Sequence, residues 1–275
     1  MPPPIWPAPT TSTWSKGTRR EANVPRRTMD RHDGRWESAL AELPRTGRHR
    51  FLRAYGDEVN RLLLERWLPE SADRVLKTDL FEEAVGDGLA RLLGERFQRV
   101  DAIDVSRPVV DEAARRHASL NVMCCDVREL PYEDGTFDWV VSTSTLDHFD
   151  TVADIEASLR ELKRVLAPGG TLIVSLDNRA NPLVAVRNAL PFRWLHRIRL
   201  VPHYVGATCR PGELERLLAR AGFDVNATTA VMHVPRLIAL AVGRGIDTML
   251  GFERLGQLPT RFVTGQFVAA RAVRR

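Results

Sequence analysis

Residues 74–104 read RVLKTDLFEEAVGDGLARLLGERFQRVDAID, and this stretch decides the fold class. A short apolar run, Val75-Leu76, predicts a strand, and the polar segment after it holds Gly86 and Gly88. Leu89, Leu92, Leu93 and Phe97 recur at helical spacing, and Val100 to Val105 predicts a second strand with Asp104 near its end. Strand, glycine-bearing turn, helix, strand and acidic tip form the unit that holds a nucleotide-type cofactor in a doubly wound α/β sheet. The glycines let the backbone approach a ligand, and a carboxylate at the second strand's tip can accept both ribose hydroxyls. The turn has no clean GxGxxG, so the segments around it carry the rest of the reading.

Downstream, Arg107 to His117 predicts a helix and Asn121 to Val127 a third strand, with Asp126 at its end. Asp134-Gly135 announces a fourth strand, Phe137 to Ser142, and a helix from Val152 to Leu166 is stopped by Pro168-Gly169-Gly170 before a fifth strand, Thr171 to Leu176. Upstream, Gly47 to Leu68 predicts an amphipathic helix ended by Pro69. Glu213 to Ala221 predicts a helix closed by Gly222, Phe223 to His233 a sixth strand, Pro235 to Leu250 an apolar helical segment and Thr264 to Val273 a last strand. Strands alternating with helices through short connections imply a doubly wound, mostly parallel sheet with helices on both faces.

Composition fits one substantial core: 275 residues, 44% hydrophobic and 27% charged. The net charge of +5 is local, because residues 1–50 carry ten basic residues against five acids, and from Phe51 onward 30 basic residues face 30 acidic ones. Bulk charge therefore gives no reason to expect a nucleic-acid partner. No apolar run has bilayer length, and MPPPIWPAPTTSTW lacks the pattern of a secretory signal, so a cytoplasmic location is expected. Residues 1–46 are expected to be a poorly ordered extension, rich in Pro, Thr, Ser and Arg at its start, with Met29 a candidate physiological start. Cys124, Cys125 and Cys209 have neither disulfide nor metal-ligand spacing and are expected to pack.

Residues 178–211 break the alternation. They contain Arg179, Arg187, Arg193, Arg197, Arg199 and Arg210 without an acid, interleaved with Phe192, Trp194 and several aliphatic residues. An insertion over the edge of the sheet is expected. Guanidinium forks suit a phosphate or carboxylate, and the apolar residues suit a greasy substrate or a membrane surface, while a solvated lid accounts for the same composition.

Four of these signals, in this order, resemble the class I S-adenosylmethionine-dependent methyltransferases, in particular the bacterial small-molecule, type 11-like group. They are the strand-loop-helix of residues 74–97, Asp104, Asp126 followed by LPYEDGTFDWVVSTSTLDHF, and LRELKRVLAPGGTLIVSLDN. The similarity spans Phe51 to Asn178, and implies a methyltransferase domain over residues 47–275 whose seven-stranded sheet ends in an antiparallel strand. It further implies S-adenosylmethionine as cofactor, with Asp104 and Val105 at the ribose, Asp126 and Val127 at the adenine, and Ser142 and Thr143 on the methionine side. The usual first motif places an acid and several glycines directly after strand one. Here Lys77-Thr78-Asp79 comes first, so Asp79 is the candidate for the cofactor's ammonium, and Lys77 either touches ligand or pairs with a carboxylate.

Methyl transfer from a sulfonium needs alignment and exclusion of water, and a high-pKa oxygen acceptor needs a base. His148 is the candidate base, against a purely structural role; His203 and Tyr204 are candidate acceptor contacts, and His233 is assigned to strand six. No His, Cys and carboxylate cluster has metal spacing. The expected acceptor is a small organic molecule, hydrophobic or anionic, methylated on O, N or C. A nicotinamide-dependent oxidoreductase would lack its glycine fingerprint here, and a base methyltransferase would need an Asn/Asp-Pro-Pro-aromatic motif that STSTLDHF does not contain. A cofactor-binding protein without turnover has the same sequence features as the enzyme.

Overall fold

The computed structural model of the chain describes residues 47–190, 197 and 206–275. The expected N-terminal extension, and His203 and Tyr204, lie outside the described residues. The elements in order are α1 (Gly47–Trp67), β1 (Ala72–Lys77), α2 (Phe81–Val85), α3 (Ala90–Arg96), β2 (Phe97–Asp104), α4 (Arg107–Arg116) and β3 (Asn121–Cys124). They continue with β4 (Phe137–Thr143), a 3-10 turn (Leu146–His148), α5 (Val152–Val165), β5 (Leu166–Asp177) and α6 (Pro182–Ala189). The last third holds α7 (Pro211–Ala221), β6 (Phe223–Val231), α8 (Arg236–Val242), α9 (Ile246–Gly251), a second 3-10 turn (Phe252–Gln257), α10 (Arg261–Thr264) and β7 (Phe267–Arg274).

Among the described residues the seven strands form one sheet in the order β3-β2-β1-β4-β5-β7-β6. All neighbouring pairs are parallel except the two that β7 makes with β5 and β6. Two apolar layers cover its faces. One joins Tyr55, Leu63 and Leu64 of α1 to Leu93 of α3 and Val109 of α4; the other joins Ile155, Leu159 and Leu162 of α5 to Leu214 and Leu218 of α7. The spacing of those residues on α5 and α7 puts them on one helical stripe each, which is why these two helices were legible in the sequence. Thr151 caps α5 by accepting from the Asp154 amide at 3.2 Å, and Gly222 closes α7 in the left-handed conformation with φ +90°.

Three expectations are corrected in detail. Phe97 opens β2 and does not end a helix; its spacing from Leu93 fits both, and its buried ring packs edge-on with Trp139 of β4 at 6.4 Å. The expected polar loop after strand one contains α2, a five-residue helix that buries the charged Glu83 alongside Phe81 and Ala84, too short to show an apolar period. Pro168-Gly169-Gly170 lie within β5, where Gly170 comes so close to Ala167 O that a Cβ would stand 2.8 Å from it.

Candidate active site

In a doubly wound sheet the strand order reverses at one point, and ligands bind outside the carboxyl ends of the strands there. The reversal here falls between β1 and β4. The two tips are knitted together: Thr78 N donates to Val141 O at 3.1 Å, and Thr78 Oγ1 donates to Ser142 Oγ at 2.9 Å and lies 3.0 Å from Thr145 Oγ1. Thr78 and Ser142 are buried, and Thr143 is half-buried at the same edge.

One strand over, Asp104 ends β2 and is nearly buried. Its Oδ2 accepts from Leu80 N at 3.1 Å and its Oδ1 from Ser106 N at 2.8 Å. Burial, and then the charge of Asp79, push its carboxyl up to about 7, against the pull of the two amide donors. Val105 follows, its carbonyl accepting from Cys124 Sγ at 3.4 Å. Asp126 stands past β3, where Oδ1 accepts from Arg128 N at 2.8 Å and Oδ2 from the Arg128 guanidinium at 2.6 Å. Arg128 also reaches Asp154 at 2.7 Å, pinning the loop that carries Val127 onto the start of α5.

The loop between β1 and α3 is built on a buried ion pair. Lys77 Nζ donates to Glu83 Oε2 at 2.8 Å and to the Asp79 carbonyl, while Glu83 Oε1 accepts from Leu89 N at 2.8 Å. Burial works most strongly against the Lys77 charge, but Glu83, Asp79 and Glu82 together outweigh it and the ammonium is held above its usual range. Gly88, at φ +49°, passes so close that a Cβ there would stand 2.4 Å from Glu83 Oε1. Asp79 Oδ1 accepts from Phe81 N at 2.8 Å. Glu82 and Asp57 of α1 gather at the same place. Burial, and then their neighbouring carboxylates, raise Glu82 to about 8; burial, and then Glu83, raise Asp57 to about 6. Glu82 Oε2 is buried and has no hydrogen-bond partner among the described residues. An edge with this excess of carboxylates fits a cofactor bearing an ammonium and a sulfonium.

A second corner lies on the other side of the reversal, and the sequence reading missed most of it. Ser144, at φ 52°, turns the chain out of β4 into the 3-10 turn that carries Asp147 and His148. Asp147 is buried, and its Oδ2 accepts from Asp177 N at 3.1 Å and from Ser144 Oγ at 3.3 Å. The Asp177 carboxylate, at the end of β5, accepts from Arg187 of α6. Burial first, and Asp147 second, raise the Asp177 carboxyl to about 6 while Arg187 and His148 oppose them. His148 is half-buried in the same turn. His233 sits apart, its ring nitrogens 2.8 Å from Thr264 Oγ1 and 3.1 Å from Ala230 O, beyond the end of β6.

Comparison with known proteins agrees with this geometry. A family model described as "Methyltransferase domain" matches residues 68–174. A "Probable S-adenosylmethionine-dependent methyltransferase" of Mycolicibacterium smegmatis is 29% identical over 175 residues, 63% of this chain and 63% of that protein. The demethylmenaquinone methyltransferase of Thermus thermophilus is 32% identical over 198 residues, covering 62% of this chain and 88% of its own length. The chain belongs to the S-adenosylmethionine-dependent methyltransferase family. A SAM-dependent methyltransferase of Thermotoga maritima, 18% identical, superposes with a TM-score of 0.55 over 81% of this chain and 91% of its own, which is a likeness of fold. This chain spans 63% of the length of the M. smegmatis methyltransferase. S-adenosylmethionine is the cofactor of this methyltransferase family, and the carboxylate-rich edge suits it.

The segment that leaves the second corner returns to it. Gly206 N donates to Asp147 O at 2.7 Å and Ala207 N to Phe149 O at 2.7 Å. A Cβ at Gly206 would stand 2.0 Å from Phe149 O, closer than any contact allows. Gly206→Ala should therefore displace the turn carrying Asp147 and His148, at a cost of about 1–3 kcal/mol. Urea denaturation reads the loss of stability, and unchanged S-adenosylmethionine affinity would locate the damage on the acceptor side.

Proposed function

We propose that the chain transfers the methyl group of S-adenosylmethionine to an O, N or C atom of a small organic acceptor by in-line displacement. The observation that carries this reading is the placement of Asp104 and of the Asp147–Asp177 corner on opposite sides of the β1/β4 reversal. When bound, the cofactor supplies an activated methyl group on a sulfonium whose leaving group is a neutral thioether. In this reading Asp104 accepts the ribose hydroxyls and Asp79 the ammonium. Val127 with Asp126 borders the adenine, and Ser142 and Thr143 line the methionine side. Lys77 holds the loop through Glu83.

For the acceptor, the informative atom is Asp147 Oδ1, which is buried and has no hydrogen-bond donor among the described residues. Leaving such an oxygen unsatisfied costs about 1–3 kcal/mol, which an incoming O–H or N–H relieves. A carboxylate or phosphate would instead meet Asp147 and Asp177 as like charges, with Arg187 already on Asp177. An acceptor presenting a hydroxyl or amine is thus favoured over an anionic one. His148, next to Asp147, takes the proton that the acceptor heteroatom loses and passes it to solvent.

Calorimetric titration with S-adenosylmethionine and, separately, NADH tests the cofactor; the expected result is micromolar binding of the first alone. Turnover is then followed as S-adenosylhomocysteine release against phenols, amines and carboxylates. His148→Gln should lower kcat by roughly 10²–10⁴-fold, the range of a general base, with cofactor affinity unchanged. Binding of NADH alone would overturn the reading. Cofactor binding without turnover on any acceptor would favour a non-catalytic binding protein, the second reading, which the Lys77–Glu83 rebuilding of the first loop keeps in view.

A further inference from the structure

The large apolar side chains that this fold leaves in water are concentrated. Among the described residues, eight of the ten exposed ones come from two segments: Leu183, Val186 and Leu190 around α6, and five more between Ile238 and Val263. Both segments lie at the carboxyl edge of the sheet. Residues 178–210 leave the end of β5, and residues 232–266 join β6 to β7, whose antiparallel pairing with β5 and β6 returns that connection to the same edge. The two segments touch, because Asn178 Nδ2 donates to Phe262 O at 2.7 Å and Asn181 Nδ2 to Thr264 O at 2.9 Å.

Helix α6 buries Val184 but turns a second apolar stripe outward. Leu183, Val186 and Leu190 follow one another at spacings of three and four residues, exposed to 59%, 61% and 39%. Its polar side chains turn inward, Arg187 to Asp177 and Asn188 to Thr208 Oγ1 at 3.1 Å. A stripe facing this way gains nothing in water, and a contiguous apolar surface of this kind marks an interaction site.

Charge separates the possible occupants. Residues 178–211 and 232–266 carry ten arginines and two acids, whereas the rest of the chain from residue 51 carries twenty basic and twenty-eight acidic residues. One of the two acids, Glu253, is spent internally on Tyr55 Oη at 2.7 Å and on the amides of Met232 and His233, each at 3.0 Å. Arg197, Arg244 and Arg254 are exposed. Arg179 and Arg187 are likewise paired, with Glu213 and Asp177. The exposed Arg197, Arg244 and Arg254 still leave these segments basic on a chain whose remainder from residue 51 is net acidic. Such an apolar, basic face complements anionic headgroups above an acyl boundary. Among the described residues no helix is long and apolar enough to cross a membrane, so the contact is peripheral.

We propose that the carboxyl edge, through α6 and the α8–α10 segment, docks on the surface of an anionic lipid bilayer. Co-sedimentation with phosphatidylcholine vesicles, with and without about one third phosphatidylglycerol, tests this; binding should be at least about tenfold tighter to the anionic vesicles and weaken in high salt. Leu183→Asp with Val186→Asp, and separately Arg244→Glu with Arg254→Glu, should each weaken it about tenfold while thermal melting and S-adenosylmethionine affinity stay unchanged. Leu62→Asp, an exposed change in the half of α1 that leads toward the amino edge, should leave vesicle binding intact. Failure to bind either vesicle, or binding that the α6 pair does not weaken, overturns the proposal. A dimer in light scattering that Val186→Asp dissociates also overturns it, by giving the face to a second copy of the chain. Neither result depends on methyl transfer.

Discussion

Glu83→Ala is expected to destabilise the protein by about 3–5 kcal/mol, a large part of the roughly 5–15 kcal/mol that holds a domain folded. Glu83 is fully buried, and its two oxygens answer two different needs, the Lys77 ammonium and the Leu89 amide. Removing it leaves an uncompensated buried charge beside an unsatisfied N–H, in the loop that joins β1 to α3. Urea denaturation measures the loss, and two companions separate its parts. Glu83→Gln keeps an acceptor for Leu89 N and should be milder; Lys77→Met added to Glu83→Gln removes the charges together and should recover most of the stability. If Glu83→Ala proved as stable as wild type, the loop would have to be held by something other than this pair.

The second large effect is on ligand affinity. Two ribose hydroxyls on a carboxylate contribute about 1.5–3 kcal/mol each, so Asp104→Ala should weaken S-adenosylmethionine roughly 10²- to 10⁴-fold in calorimetry. The same carboxyl gives a pH signature. Burial, and then Asp79, raise it to about 7 in the folded protein, above the ordinary aspartate value of 3.8. Between these two pH values the folded state binds more protons than the unfolded one, so ligand-free stability should fall as pH rises through that window. Asp57 and Asp177 add to the slope with the same sign. Ligand affinity should move oppositely, rising with pH through about 7 as Asp104 ionises, and Asp104→Asn should abolish that rise. A pH-independent affinity in wild type would remove Asp104 from the ribose.

What the sequence revealed, and what it hid, divides along physical lines. Period and punctuation marked the sheet: the stripes of α5 and α7, the apolar runs of β1, β4 and β5, and Gly222 after α7 were all legible because each expresses a local rule. Asp104 was legible because a strand tip is a local position. Glu83, Asp147, Asp177 and Arg187 were not, since their partners lie across the fold and no spacing announces them. The resemblance gave Asp126 an adenine contact. Its bonds to Arg128 supply a turn, and they leave the adenine contact as a proposal resting on the Val127 backbone. Helix α6 defeated pattern reading for another reason: its stripe is periodic, but period does not say which side meets water.

The position of β7 bears on how the molecule is made. It follows both β5 and β6 in sequence, yet it lies between them and pairs with both along most of its length. During synthesis β5 therefore waits with one edge bare, and β6 has no place in the sheet, until residues 267–274 have emerged. A nascent chain at that stage presents an open β edge of the kind that recruits chaperones or other chains. Ala269, Ala270 and Ala272, all fully buried in β7, give the strand that closes this gap small side chains under both apolar layers.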